Sequence, residues 1–261
     1  MCELMAMSAN VPTDICFSFA GLMERGGRTG PHKDGWGVTF YEGKACRTFK
    51  DPLPSCESEI ARLVKDYPIK SCSVIAHIRQ ANRGSVCLAN THPFVRPLWG
   101  RNWTFAHNGQ LSNYQEVLQV SIHEPIGETD SELAFCWLLD QLKRQFSVQP
   151  DDMKSAFLYV ASIAHTLKAL GIFNMLLTDG IYTLAYCTNN LHWITRRAPF
   201  GKASLIDSDW VIDFQEETTE HDIVTIIATQ PLTDNEQWHK MQEGEFALFH
   251  LGEKVETSGE S

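Results

Sequence analysis

The sequence predicts an α+β protein with two β-sheets, because short strands fill both halves of the chain and two helices lie between them. Apolar runs bounded by Gly, Asn and Asp mark the strands. Two apolar patterns of helical period occupy the centre of the chain. This order favours two sheets that share a helical layer, and it leaves the order of strands within each sheet open.

The predicted strands lie on both sides of the helices. A first hairpin turns at Glu42-Gly43-Lys44, and a second turns at Thr178-Asp179-Gly180. The predicted strands cover residues 36–41, 45–49, 72–78, 102–107, 172–177, 181–187, 193–195 and 222–229.

Two helices are predicted between these groups of strands. The first begins after Thr129, because Thr129 and Glu132 have the spacing of a capping box and apolar residues of helical period follow. The second covers residues 152–170, with Gly171 as its stop signal.

Composition and charge restrict the possible functions. The 261 residues contain no repeat or linker, which predicts one domain over residues 2–255 and a disordered tail over residues 256–261. There are 22 Lys and Arg against 32 Asp and Glu, and a net charge of −10 argues against nucleic acid and membrane surfaces as partners.

The eight cysteines form no CxxC pair, and the sequence has neither a signal peptide nor a run of about 18 apolar residues. A reducing, cytoplasmic location is therefore expected.

Cys2 is a candidate nucleophile. Removal of Met1 would place a thiol and a free α-amine on one residue, as in N-terminal nucleophile enzymes. The amine has a pKa of about 7.7–8.0 and the thiol one of about 8.5, so near neutral pH one group can act as base for the other. The alternative is that Cys2 is merely a small residue near a start codon.

Four further residues carry side chains or backbone groups suited to an amino-acid substrate. Asn108 and Gly109 follow a strand and fit either a tight turn or an oxyanion hole, in which the Asn amide and the Gly N–H act as donors. Arg79 either reaches water at a strand end or clamps a substrate carboxylate. Asp130 either interacts only with the helix dipole or holds a substrate ammonium.

A metal site is the rival interpretation of the polar residues. His77, His92 and His107 are spaced fifteen residues apart, and His32 lies close to Asp34. No pair of histidines has a local spacing typical of zinc ligands, so we expect no metal.

Taken together, several segments resemble the class II glutamine amidotransferases, a branch of the Ntn hydrolases, and in particular their small stand-alone bacterial members. The matching segments are Met1-Cys2, Asp34-Gly35-Trp36-Gly37, Ala76-His77-Ile78-Arg79, Asn90-Thr91-His92-Pro93-Phe94, Ala106-His107-Asn108-Gly109 and Glu128-Thr129-Asp130-Ser131-Glu132. They span nearly the whole chain in the order of the family. Two departures are Glu3, where many members have Gly, and Gln80-Ala81-Asn82, where synthase-linked members usually carry an aromatic residue and then Ala-Thr.

The resemblance implies a four-layer αββα sandwich of two antiparallel sheets and a single glutamine amidotransferase domain. It implies that Cys2 attacks a glutamine amide, that Asn108 and Gly109 stabilise the oxyanion, and that Arg79 and Asp130 bind the α-carboxylate and α-ammonium. No metal or organic cofactor is implied.

Three functions are consistent with this resemblance. The leading hypothesis is an amidohydrolase that releases ammonia from glutamine or a γ-glutamyl amide through a Cys2 thioester, which makes it a glutaminase. The second is a subunit that delivers ammonia to a separate synthase partner in trans, because the chain carries no synthase domain after residue 261. The third is a non-catalytic module that binds glutamine.

Overall fold

Two antiparallel β-sheets pack face to face, and helices cover the outer face of each sheet. The computed structural model describes residues 2–81, 84–216 and 219–258. The strands are β1 (Glu3–Thr13), β2 (Trp36–Glu42), β3 (Ala45–Asp51), β4 (Ser71–Ile78), β5 (Phe94–Leu98), β6 (Arg101–Leu111), β7 (Gly171–Thr178), β8 (Tyr182–Tyr186), β9 (His192–Arg197), β10 (Lys202–Ser204), β11 (Val211–Asp213), β12 (Ile223–Ala228), β13 (His239–Lys240), β14 (Phe246–His250) and β15 (Glu253–Thr257). The helices are α1 (Cys16–Arg25), α2 (Glu59–Asp66), α3 (Tyr114–Val117), α4 (Asp130–Gln145) and α5 (Met153–Lys168).

The strands form two large sheets and one small one. The larger sheet has the order β13-β9-β12-β1-β4-β2-β3, and the second has the order β15-β14-β8-β7-β6-β5. Strands β10 and β11 pair separately. The first strand of the chain is therefore central in the larger sheet, between β4 and β12.

The predicted α+β class and αββα sandwich are confirmed, but the expectation that the two sheets share a helical layer is wrong. The sheets share an apolar layer with each other, built from inward-facing residues of both. Helices α1 and α2 pack on the outside of the larger sheet, and α4 and α5 pack on the outside of the second. Many of the inner side chains are small, such as Ala6, Ala106, Ala185 and Ala247, which allows the two sheets to approach closely.

Both predicted hairpins are present, as β2–β3 and β7–β8. The two central helices are also present, and Thr129 Oγ1 accepts a hydrogen bond from the N–H of Glu132 at the start of α4. Strand β1 and helices α1 and α2 are among the elements that were not predicted from the sequence. Strand β1 was missed because residues 3–9 are buried throughout and show no alternation of apolar and polar residues.

The turn interpretation of Asn108 and Gly109 is wrong. Both residues continue β6, in register with Asn174 and Phe173 of β7. The boundary of the predicted tail also differs, because β15 extends through Thr257, whose hydroxyl donates to the carbonyl of Phe246. Residues 259–261 of that tail lie outside the described residues. Within the described ranges, every helix is too short or too polar to cross a membrane.

The turn between β7 and β8 holds a buried ion pair. Asp179 is 0% exposed, accepts from the N–H groups of Ile181 and Tyr182, and pairs with the buried Arg101.

We predict that Asp179→Ala lowers the free energy of unfolding by about 3 kcal/mol or more, because it leaves the Arg101 charge buried without a partner. Denaturant unfolding measures this change. Glu42→Ala, which removes the exposed partner of Arg47, is the control and should have little effect. An equal loss of stability in both variants would contradict the prediction.

Candidate functional site

A small pocket opens where the start of β1, the ends of β4 and β6, and the first turn of α4 come together. It is lined by Cys2, Arg79, Gln80, Ala81, His92, His107, Gly109, Gln110, Thr129, Asp130 and Ser131. The structure therefore brings four of the five predicted site residues into one pocket. The fifth, Asn108, donates from Nδ2 to the carbonyl oxygen of Cys2 at 2.5 Å.

The half-buried Cys2 thiol is held by the residue that follows Arg79. The N–H of Gln80 donates to Cys2 Sγ at 3.2 Å, and the thiol lies 3.4 Å from the Gln80 carbonyl oxygen. Burial raises the pKa of the Cys2 thiol, and this effect exceeds the opposing effects of the Gln80 N–H and the Arg79 charge. The thiol therefore needs a base to become a thiolate near neutral pH. Met1 lies outside the described residues.

Asn108 and Gly109 lie side by side against β7. Asn108 Oδ1 is buried and has no hydrogen-bond partner among the described residues. The backbone carbonyl of Asn108 accepts a hydrogen bond from Asn174 Nδ2 at 3.0 Å. A Cβ at Gly109 would lie 1.8 Å from the carbonyl oxygen of Ile172, so only glycine allows β7 to lie this close.

Arg79 directly follows β4 and is held by the Asp34-Gly35 segment. The backbone N–H of Arg79 donates to the carbonyl of Gly35 at 2.7 Å, and the N–H of Asp34 donates back to the Arg79 carbonyl at 3.1 Å. Asp34 Oδ2 accepts from the N–H of Ala81 at 2.7 Å. Arg79 is 3% exposed, and its Nη1 donates to the Ser85 carbonyl at 3.0 Å. The guanidinium is therefore fixed at the pocket wall.

Asp130 is the first residue of α4 and lines the pocket together with Arg79. Its Oδ2 accepts from the N–H of Leu111 at 2.7 Å, and its Oδ1 accepts from the N–H of Ser131 at 2.9 Å. The helix N-terminus also favours its negative charge. These bonds fix the carboxylate between the end of β6 and the start of α4.

Three buried histidines lie beside and beneath the pocket. The rings of His77 and His92 have centroids 4.2 Å apart, and none of their ring nitrogens has a partner among the described residues. His107 Nδ1 lies 2.8 Å from Ser131 Oγ. Burial, followed by the charges of His107 and Arg79, lowers the pKa of His77 to about 3, and burial also lowers the pKa of His92 and His107. Across residues 2–81, 84–216 and 219–258, no three His, Cys, Asp or Glu side chains are arranged to hold a metal ion.

Two positioning contacts were not predicted from the sequence. Thr229 Oγ1 accepts from the N–H of Leu4 at 2.9 Å and lies 3.4 Å from Asn108 Nδ2, so it connects β1 to the Asn108 amide. Glu128 Oε1 accepts from the N–H and hydroxyl of Ser85 and so fixes the loop that holds Arg79. Each contact joins residues that are far apart in sequence, and no local motif indicates it.

A second, larger cavity lies at the opposite end of β1. It has a volume of about 760 Å³ and is bordered by Cys16, Phe17, Trp210 and Phe214, among others. None of the five predicted site residues lines it. Burial, together with the nearby Asp14, raises the pKa of Cys16 to about 12, which makes this thiol a poor nucleophile. We therefore place the candidate site at the smaller pocket, which Cys2, Arg79 and Asp130 line together.

Comparison with known proteins gives a consistent result. The family described as class-II glutamine amidotransferases matches residues 1–261. The YafJ protein of Escherichia coli strain K12 is 66% identical over 255 residues, which cover 98% of this chain and 100% of YafJ. A Haemophilus influenzae strain Rd relative is 47% identical over 255 residues, covering 98% of this chain and 86% of the relative.

Solved structures support the same fold. The 2.0 Å crystal structure of a predicted glutamine amidotransferase from Pseudomonas aeruginosa PA01 has a TM-score of 0.79 and 52% identity, and the match covers 98% of this chain and 100% of that one. Glutamine phosphoribosylpyrophosphate amidotransferase from B. subtilis has a TM-score of 0.60 at 14% identity, covering 98% of this chain and 49% of that one. The second likeness concerns the fold alone.

The buried histidines predict a loss of stability in acid. Below a pH of about 6.5 the unfolded chain binds protons at His77 and His92, whereas the folded chain keeps both rings neutral. The free energy of unfolding should therefore fall by up to about 1.4 kcal/mol per pH unit for each such histidine as the pH decreases from 6.5 to about 5. Denaturant unfolding at several pH values measures this slope.

The contribution of one histidine can be isolated with His77→Leu, which should reduce the slope. His165→Leu, at an exposed position of α5, is the control and should retain the slope of the wild type. Identical slopes for all three proteins would contradict the prediction.

Proposed function

This chain belongs to the class-II glutamine amidotransferases, and we propose that it hydrolyses the side-chain amide of glutamine, or of a related γ-glutamyl amide, with Cys2 as nucleophile. The observation that carries this proposal is the pocket itself, in which Cys2, Arg79 and Asp130 line one small cavity. A cation and an anion beside a nucleophile suit a zwitterionic α-amino acid that has an acyl group to transfer.

In the proposed first step, the free α-amine left by removal of Met1 takes the proton of the Cys2 thiol. The base is needed because burial raises the pKa of this thiol. The sulfur attacks the amide carbon, and the carbonyl oxygen becomes an oxyanion. The amine then passes the proton to the amide nitrogen, the C–N bond breaks, and ammonia leaves a γ-glutamyl thioester on Cys2.

In the second step, water attacks the thioester, its proton passes through the α-amine to the sulfur, and glutamate is released. We assign Asn108 Nδ2 and the N–H of Gly109 as donors to the oxyanion in both steps. Asn108 Nδ2 has two hydrogens, and one of them bonds to the carbonyl of Cys2. The other points to Thr229 Oγ1 at 3.4 Å, a long hydrogen bond that in this proposal is exchanged for one to the oxyanion.

Substrate recognition is assigned to two charges at fixed positions. Arg79 binds the α-carboxylate, for which its planar fork is well matched, and Asp130 binds the α-ammonium. Both charged groups are fixed by hydrogen bonds to backbone groups, so little entropy is lost when glutamine binds. The proposal needs no metal or organic cofactor, because each step uses a group of this chain or water.

Ammonia release and ammonia delivery to a synthase in trans share these steps and differ only in the fate of the ammonia.

We place the activity in the cytoplasm, since the eight cysteines are all free thiols. The net charge of −10 argues against nucleic acid or an anionic membrane as a partner.

We predict that Cys2→Ala and Cys2→Ser lower kcat for glutamine hydrolysis by at least about 10³-fold, since both remove the thiol nucleophile. Release of glutamate and of ammonia should be measured on protein that lacks Met1. Cys72→Ala is the control, because Cys72 is also half-buried but does not line the pocket. Full activity of the Cys2 variants would contradict the mechanism. A wild type that binds glutamine without hydrolysing it would favour the non-catalytic module.

We predict that Arg79→Lys raises KM for glutamine by about tenfold or more with a smaller change in kcat, because an ammonium cannot reproduce the bidentate fork. Steady-state kinetics measure both constants. Arg47→Lys, at an exposed position of β3, serves as the control. An unchanged KM would remove Arg79 from the role of carboxylate clamp.

A further inference from the structure

The residue that follows the proposed nucleophile is a buried acid. Glu3 is 4% exposed, and its Oε2 accepts from Arg25 Nη1 at 3.0 Å. In β1 the even-numbered Leu4 and Ala6 face the other sheet, whereas the odd-numbered Met5 faces the helices. Glu3 therefore extends toward α1, on the face of the sheet opposite Cys2.

Arg25, at the end of α1, joins Glu3 to two other segments. Its Nε donates to Asp207 Oδ2 at 2.7 Å, and its Nη2 donates to the carbonyl of Pro231 at 2.6 Å. Nη1 also approaches the carbonyl of Gln230 at 3.3 Å. The arginine side chain is 8% exposed, so these bonds form away from water and hold the guanidinium in one orientation.

The segment that Arg25 binds continues into the proposed site. Gln230 and Pro231 directly follow Thr229, whose hydroxyl accepts from the N–H of Leu4 and lies near Asn108 Nδ2. The start of β1 is thus held on one face by the Glu3 carboxylate and at its backbone by Thr229. Cys2 lies at the end of this fixed segment, and its carbonyl reaches Asn108.

We propose that Glu3 and Arg25 are positioning residues that hold the backbone of Cys2 in register with Gln80 and Asn108. This inference rests on the proposed function, because it assigns the pair to the reactivity of Cys2. A buried ion pair adds little stability compared with well-packed apolar residues, so a role in fixing orientation accounts for its presence better than a role in stability.

A purely structural role would give a different result in kinetics. Small displacements of a reactive group reduce the rate of its reaction, whereas Arg79 and Asp130 bind substrate independently of Glu3. Loss of positioning should therefore lower the rate constant of the chemical step and leave substrate affinity unchanged.

The test uses 6-diazo-5-oxo-L-norleucine, a glutamine-like electrophile that alkylates a reactive thiol. The maximal inactivation rate and the half-saturating concentration are measured for wild type, Glu3→Gln, Glu3→Ala and Arg28→Ala, all lacking Met1. Glu3→Gln keeps the side-chain shape and leaves Arg25 paired with Asp207, so it should fold. Arg28→Ala removes an ion pair with Glu24 beside the end of α1, at a side chain that is 65% exposed, and is the matched control.

We expect the maximal rate to fall about 10-fold in Glu3→Gln and about 100-fold in Glu3→Ala, with half-saturation within about twofold of wild type and Arg28→Ala unchanged. Unchanged rates in the Glu3 variants would overturn the proposal, as would a loss of affinity equal to the loss of rate. Thermal melting of each variant shows whether it is folded at the assay temperature.

Failure of the proposed function gives a separate result. A wild type that takes no label contradicts glutamine chemistry, and amide hydrogen exchange then tests the positioning claim. Glu3→Gln should reduce protection in the peptide that contains the start of β1, whereas Arg28→Ala should not. Equal protection in all proteins would overturn the role of Glu3 in holding this segment.

Discussion

The close approach of β1 to β6 across the two sheets is the constraint on which the site depends. Strand β1 belongs to the larger sheet and β6 to the second, and small side chains such as Ala6 and Ala106 fill the layer between them. This packing lets Asn108 of one sheet reach the carbonyl of Cys2 in the other. A nucleophile from one sheet and its proposed oxyanion donors from the other can meet only if the two sheets keep this separation.

Around this junction, the buried charged groups and loops are held by hydrogen bonds from other segments. Arg79 is fixed by the Asp34-Gly35 backbone and by the Ser85 loop, which Glu128 holds in turn. Asp130 is fixed by the N–H of Leu111. Because these groups are already fixed, less conformational entropy is lost when a substrate binds. The same hydrogen bonds keep a cation and an anion in one small pocket.

The α+β class could be predicted from local patterns, whereas the αββα layering and the joint assignment of Cys2, Arg79, Gly109 and Asp130 to one site followed from the motifs that carry the resemblance to the family. Hairpins, caps and short motifs carry that information. The turn interpretation of Asn108-Gly109 was wrong because strand β7, about 65 positions further along the chain, supplies the pairing that keeps both residues extended. The Glu3–Arg25 pair was missed for a related reason, since its members are 22 residues apart and only the packing of α1 on β1 brings them together.

The central claim is that Cys2, and no other thiol, reacts with a glutamine-shaped substrate. The most direct measurement is mass spectrometry of the intact protein after reaction with 6-diazo-5-oxo-L-norleucine, followed by mapping of the labelled peptide. Cys87 is the informative comparison, because it is partly exposed and the Ser85 hydroxyl lowers its pKa. Our account predicts a chain without Met1 that carries one adduct, on Cys2. An adduct on Cys87, or no adduct on a chain that lacks Met1, would contradict it.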